Sequence, residues 1–211
     1  MSPRKALPPQ LSEPRARLLA EATQLFAERG FDAVTTREIC QAAQLNPGAI
    51  HYHFGDKESL YRTVLLGPIE EVSAKLAGFD EPDLPLHEAI CRFIHPFLGD
   101  ETACAHQLFM REMQQPSSTF KSLIAAEIEP KFDAFAAVLA RHAGLAEPDL
   151  ALHQLAMGLQ AMAHDYAHSR PMLDALYPEL LRDDPQLEQT CRRIADWGCA
   201  LVAYERERRR S

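Results

Sequence analysis

The chain has no apolar run approaching the ~18 residues that cross a bilayer. Its start, Met1-Ser2-Pro3-Arg4-Lys5, has no apolar stretch of the kind that opens a secretory signal. These absences lead us to expect a cytoplasmic protein with no membrane partner. The five cysteines (Cys40, Cys91, Cys104, Cys191, Cys199) are odd in number, widely spaced and never in a CxxC pair, which argues against a disulfide framework or a zinc knuckle. There is no glycine-rich phosphate loop, no nucleophile elbow and no pair of carboxylates at a recognisable catalytic spacing, so an enzyme is not expected and no cofactor is called for. β-Branched runs and Asn-Gly hairpin turns are scarce. No internal repeat or low-complexity segment is evident. Net basic charge is also missing, since the 211 residues carry −8.

That charge is unevenly placed. Residues 1–66 hold 8 basic and 7 acidic side chains, a balance of +1, while the remainder holds 14 and 23, a balance of −9. Affinity for a polyanion depends on where the cations sit and not on the whole-chain value. The acidic part should be repelled by nucleic acid, and the first 66 residues need not be. Apolar content of 46% is enough for a sizeable core.

What remains reads as helix. Leu18, Leu19, Ala22, Leu25 and Phe26 make one apolar stripe, stopped by Gly30. Thr35 with Glu38 three residues on is a capping box, predicting a short helix over 36–43. Asn46-Pro47 places a capping side chain before a proline suited to a first helical position, predicting a second short helix over 47–54 ended by Gly55. Asp56 caps a longer helix bearing Leu60, Val64 and Leu65, bent near Gly67-Pro68. After a loop marked by Pro82 and Pro85, helical segments are expected at about 86–98, 102–114, 118–143, 149–169 and 184–208, with Pro130 kinking or splitting the third. The fold class is therefore all-α: a three-helix head over residues 1–60 and a larger helical domain over 61–211.

Two short helices joined by a brief turn form a helix-turn-helix. A second helix of about two turns can enter a major groove end-on. Asn46, Pro47, Gly48 and Ala49 are small enough for close approach; His51, Tyr52 and His53 supply donors, acceptors and ring faces. Thr35, Thr36, Arg37 and Lys57 stand at helix starts where phosphates can be held, and Arg4 and Lys5 lie on an arm that could reach a minor groove. A single recognition helix reads few base pairs, so a homodimer on a palindrome is expected. Its seam would use Leu187, Cys191, Ile194, Gly198 and Leu201 of the last helix, with Ala195 and Ala200, against Leu152, Leu155, Ala156, Leu159 and Ala163.

The block from Leu18 to Tyr61, through Leu25-Phe26-Ala27-Glu28-Arg29-Gly30-Phe31, Thr35-Thr36-Arg37-Glu38-Ile39 and Pro47-Gly48-Ala49-Ile50-His51-Tyr52-His53-Phe54-Gly55-Asp56-Lys57, resembles the tetracycline-repressor (TetR) family. Where that family most often carries a tyrosine, His51 stands here, with Tyr52 following. Phe109-Met110-Arg111-Glu112-Met113, Pro116, Phe120, Ile128 and Pro130 resemble the CecR-type C-terminal domain of the same family. The resemblance implies that 35–54 reads double-stranded operator DNA, that Lys57 touches phosphate, and that the protein is a repressor. A small apolar or amphipathic inducer would release it, bound between helices four and eight by Phe97, Phe109, Met113 and Met157 with His106 or His164 as polar contact. His164 and His168, one turn apart, leave a metal-responsive regulator as an alternative, with His95, His106 and His153 also in that domain; packing or pocket-lining is the more ordinary reading, and no metal ligand is assigned. A helical adaptor that binds no DNA is the other alternative.

Overall fold

The computed structural model describes residues 14–98, 104–180 and 182–210, with the side chains of 104–106 excepted. The described residues are helical with no strand, in agreement with the all-α expectation. Among them no helix is long and apolar enough to cross a membrane.

The chain divides into two compact units. One comprises the described residues up to Glu70 with those between Thr102 and Ile124; the other runs from Glu71 to Glu101 and resumes at Ala125. The division by packing thus takes a later stretch of chain into the N-terminal unit, which a single cut at residue 60 does not.

In the first unit, α1 (Pro14–Arg29) buries Leu18, Ala22 and Phe26, spaced four apart on one face. Gly30 ends it with φ +79, and the Arg111 guanidinium lies 2.8 Å from where a Cβ would stand. Both the turn and that close approach favour glycine. α2 (Thr36–Ala42) buries Ile39 and Cys40, and α3 (Ala49–Phe54) buries Ile50. α4 (Lys57–Lys75) is capped by Asp56, which accepts from the Ser59 amide at 2.7 Å, and it continues through Pro68 as one helix. α3 begins at Ala49, two residues later than expected, because Asn46 Oδ1 accepts from the Gly48 amide at 3.1 Å and holds Pro47 and Gly48 in a turn.

The later stretch consists of α6 (Cys104–Gln114), packed on α1, and α7 (Ser118–Leu123). Its tie to the head is polar and buried. Tyr61 of α4 donates to one oxygen of the buried Glu112 of α6, and the other oxygen accepts from the Ser117 amide and hydroxyl, each at 2.8 Å. Ser117 in turn caps α7 through the Phe120 amide. Burial and this hydrogen bond push the Tyr61 hydroxyl's pKa well up.

In the second unit, α5 (Leu86–Ile94) runs into a 3₁₀ turn at His95–Leu98. A π-helical turn at Ile124–Ile128 precedes α8 (Glu129–Ala143), so the expected split falls just before Pro130, which sits in the first turn of the new helix. α9 (Leu150–His168) is capped by Asp149 and α11 (Asp184–Arg208) by Asp183. Between them lies α10 (Arg170–Leu176), which the sequence reading left out. Phe93 and Phe135 stack at 3.8 Å in the core, with Phe79 edge-on to both.

Most of the stripe expected to form the dimer seam packs inside this unit instead, with Ala200 and Leu201 left exposed. Cys191, Ile194, Ala195 and Gly198 of α11 are buried, as are Leu152, Ala156, Leu159 and Ala163 of α9. A Cβ on Gly198 would stand 2.8 Å from Ile90 and 3.1 Å from Leu159. The small residue admits α5 and α9 of the same chain. The solvent-facing side of α11 carries Trp197, Leu201 and Tyr204.

Gly198→Leu should therefore destabilise the fold by about 3 kcal/mol through overpacking, seen as a lowered Tm in thermal unfolding. A folded monomer with unchanged Tm would return Gly198 to a subunit seam.

Candidate nucleic-acid interface

The interface is built on the caps of α2. Thr35 Oγ1 accepts from the Glu38 amide at 3.2 Å and donates to the Glu38 carboxylate at 2.7 Å, while the Thr35 amide donates to that carboxylate at 2.8 Å. This is the capping box read in the sequence, with one addition: Arg29, at the end of α1, donates to the other Glu38 oxygen at 2.8 Å and to the Ala33 carbonyl at 2.6 Å. The Thr35 hydroxyl hydrogen is thus committed to Glu38 and not presented to a phosphate. These Thr35 bonds, then the Arg29 guanidinium, pull the Glu38 carboxyl from 4.5 down to about 2.

Thr36 and Arg37 follow, both exposed, and Arg37 has no carboxylate partner among the described residues. An unpaired guanidinium at a helix start can hold a phosphate. Across the turn, where Gln44 takes a left-handed φ of 57, Asn46, Pro47 and Gly48 are exposed. Ala49 is buried at 8% exposure, packing toward the head's core with Ile50. That burial takes it off the exposed surface expected from the sequence.

α3 then turns its aromatic edge outward. Tyr52 is 84% exposed, with its ring edge-on to His53 at 4.8 Å. His51 is exposed but tied: its Nδ1 lies 2.7 Å from the Gly55 carbonyl. A carbonyl only accepts, so Nδ1 carries the proton and Nε2 faces away as an acceptor when the ring is neutral. Lys57 places its ammonium 4.1 Å above the Phe31 ring, a cation–π contact that fixes the charge beside the start of α4. Arg15 lies 4.9 Å over Phe54, a cation that sequence spacing did not single out. Arg4 and Lys5 lie outside the described residues. Exposed donors, one free guanidinium and a two-turn helix with a protruding phenol together define a DNA-reading helix-turn-helix.

The residues expected to line an inducer pocket fall in both units. Phe109 and Met113 belong to the first unit; Phe97, Met157 and His164 belong to the second. The His106 side chain lies outside the described residues. Met113 and Met157 are 57% and 53% exposed, which is more than a pocket lining allows. Phe109 packs edge-on against Phe120 at 5.2 Å. Among the described residues two shallow clefts have volumes of about 390 and 350 Å³, and neither is lined by Phe97, Phe109, Met113, Met157 or His164. The His164 and His168 rings stack at 6.0 Å, and burial, with His168 beside it, lowers the pKa of His164. Among the described residues no third ligand joins them to make a metal site.

Residues 18–64 match the family model of bacterial regulatory proteins, tetR family, and residues 82–200 match that of the C-terminal domain of the HTH-type transcriptional dual regulator CecR. The chain belongs to the tetR family of bacterial regulators, with a CecR-type C-terminal domain. The proteins of that family are DNA-binding transcription regulators. The chain is similar to the HTH-type transcriptional regulator UidR of Escherichia coli (strain K12), at 29% identity over 108 residues, 48% of this chain and 53% of UidR. It is also similar to the HTH-type transcriptional repressor BepR of Brucella suis biovar 1 (strain 1330), at 35% over 98 residues, 44% of this chain and 46% of BepR. The chain spans about half the length of these curated relatives. A bacterial regulatory protein in the tetR family from Rhodococcus RHA1 shares the fold, with a TM-score of 0.63 and 22% identity over 90% of this chain and 97% of that one.

A folded-state pKa below the ordinary one makes Glu38 stabilising above pH 4.5, and that contribution is lost as pH falls from 4.5 through about 2. A carbon-detected NMR titration should find the Glu38 carboxylate still ionised at about pH 3.5. Thr35→Ala should move its midpoint up toward 4.5.

Proposed function

We propose that the protein is a cytoplasmic repressor that binds a palindromic operator as a homodimer and leaves it when a small apolar or amphipathic inducer binds. The observation that carries the DNA half is the exposure of Tyr52 beside His53 on a helix of six residues, next to the unpaired Arg37. One such helix reaches only a few base pairs, and two heads about one helical turn apart reach a full site. The described basic residues of the first unit favour the phosphates, while the acidic excess elsewhere disfavours misplaced binding. The similarity to BepR, a transcriptional repressor, points the same way.

Support for the dimer comes from the outer side of α11. Trp197, Leu201 and Tyr204 recur at i, i+4 and i+7, a helical face of large apolar groups left in solvent. α9 adds Leu150 and Met157. In this reading residues 61–211 supply the regulatory and pairing functions and residues 1–60 the reading head. For the inducer, support lies in the second unit, where the His95–Leu98 turn packs on α9 and leaves Phe97 and His164 half-buried. An inducer acts through its differential affinity for the DNA-competent and incompetent arrangements, about 1–3 kcal/mol of coupling.

Selection of bound sequences from genomic DNA, followed by titration of the recovered site with salt, tests the reading. Arg37→Ala should weaken binding to all duplexes and flatten the log–log salt slope by about one unit. Tyr52→Ala should instead cost about 1–3 kcal/mol at particular base pairs and alter the selected consensus. No enrichment of any duplex over random DNA would end the proposal.

Sedimentation of a Trp197→Glu, Leu201→Glu double variant should show folded monomers whose affinity for a full palindrome drops at least tenfold. Undiminished dimers would place the interface on another face.

A further inference from the structure

The seam between α5 and α11 carries a group of side chains that DNA binding does not use. The helices run antiparallel, as the pairs His95 with Glu188 (4.0 Å), Cys91 with Cys191, and His87 with Asp196 (3.3 Å) show by their opposed numbering. Cys191 is buried, and its thiol reaches the Cys91 carbonyl at 3.6 Å, which sets the two cysteines side by side across the seam. Cys91 is half-buried and keeps a solvent-facing side. One helical turn before it, His87 Nδ1 lies 3.8 Å from the Cys91 sulfur. The Asp196 carboxylate can only accept, so it holds the proton of His87 on Nε2 and turns Nδ1 toward Cys91 as an acceptor. A thiol, an imidazole and a carboxylate in series, with a second thiol against the backbone of the first, is more than core packing of α5 on α11 requires.

We propose that Cys91 is a site of oxidation by hydroperoxides, with Cys191 as the resolving thiol. His87 takes the Cys91 proton. The thiolate attacks one oxygen of the peroxide ROOH, forming an S–O bond as the O–O bond breaks. The sulfur is oxidised by two electrons, and the departing alkoxide takes the proton from His87 and leaves as ROH. The Cys191 sulfur then attacks the Cys91 sulfenic acid: an S–S bond forms, the S–O bond breaks, and the hydroxide leaves as water with the Cys191 proton. Asp196 is a positioning residue in this scheme.

The electrostatics of the seam favour the division of roles. The Cys191 hydrogen bond holds the Cys91 thiol below its ordinary pKa, against burial and the carboxylates of Glu188 and Glu88, with Arg192 assisting. The same contact and burial push Cys191 well up. The more accessible sulfur is thus the one that ionises. Cys199, also half-buried, is raised by burial and by Asp196, which makes it the internal control.

The native full-length chain is treated with one equivalent of hydrogen peroxide and mapped by mass spectrometry. An intramolecular Cys91–Cys191 bond, two hydrogens lighter and reversed by dithiothreitol, is expected. In Cys191→Ser the reaction should stop at a dimedone-trapped sulfenic acid on Cys91, and Cys199→Ser should change nothing. Iodoacetamide labelling of folded protein should pick out Cys91 first. His87→Asn should raise the pH midpoint of that labelling and slow it at neutral pH by about tenfold per pKa unit restored. A bond to Cys199, a bond between chains, or full survival of the free thiols in the native protein overturns the proposal. Unchanged labelling in a folded His87→Asn removes His87 from it.

Discussion

A buried carboxylate must have its donors or be neutralised, and Glu112 meets that demand with three donors drawn from two other elements. Tyr61 reaches it from α4, and the Ser117 amide and hydroxyl reach it from the start of α7. Residues 104–124 are more than forty positions beyond the head in sequence, yet they fold with it. Removing any donor would leave charge stranded in a dry site, which costs far more than a surface contact gains. The Arg111 guanidinium lying over Gly30, and Thr119 donating to Glu58 at 3.2 Å, extend the same attachment along α1 and α4. The helix-turn-helix is therefore braced by a segment distant from it in sequence.

The head itself shows how a short helix is kept in place without many buried groups. α2 and α3 have seven and six residues, too few to be stable alone. The capping box, the Arg29–Glu38 pair and the Asn46 turn satisfy the open backbone groups at their ends. Ile39, Cys40, Ala43 and Ile50 supply the apolar contact. What is left unsatisfied points outward, and there Arg37 and Tyr52 stand exposed. Lys57 is held more firmly than an ordinary surface lysine, because its ammonium rests on Phe31.

In the second unit the same economy of small residues serves the inside of the molecule. Gly198, Ala195 and Ala156 let α5, α9 and α11 approach closely. The bulky residues of α11 that find no place in that packing, Trp197 and Tyr204, are displaced to its outer side. Close approach also sets Cys91 against Cys191, so the chemistry of the seam follows from its packing.

The sequence by itself determined the helical class, the caps at Thr35 and Asp56, the stops at Gly30 and Gly55, and the two short helices with their outward Tyr52. All of these depend on interactions within four residues along the chain, so spacing reveals them. The tertiary structure alone decided which of two apolar faces of α11 turns inward, since a stripe at 4-3-4-3 spacing suits the chain's own core as well as a partner. It buried Ala49, committed the Thr35 hydroxyl to Glu38, and spread Phe109, Met113, Phe97, Met157 and His164 over two units. It joined Tyr61 to Glu112 and Cys91 to Cys191 across 51 and 100 residues. Contacts at such separation leave no periodic mark, because they are set by where whole helices come to rest and not by the order of residues along any one of them.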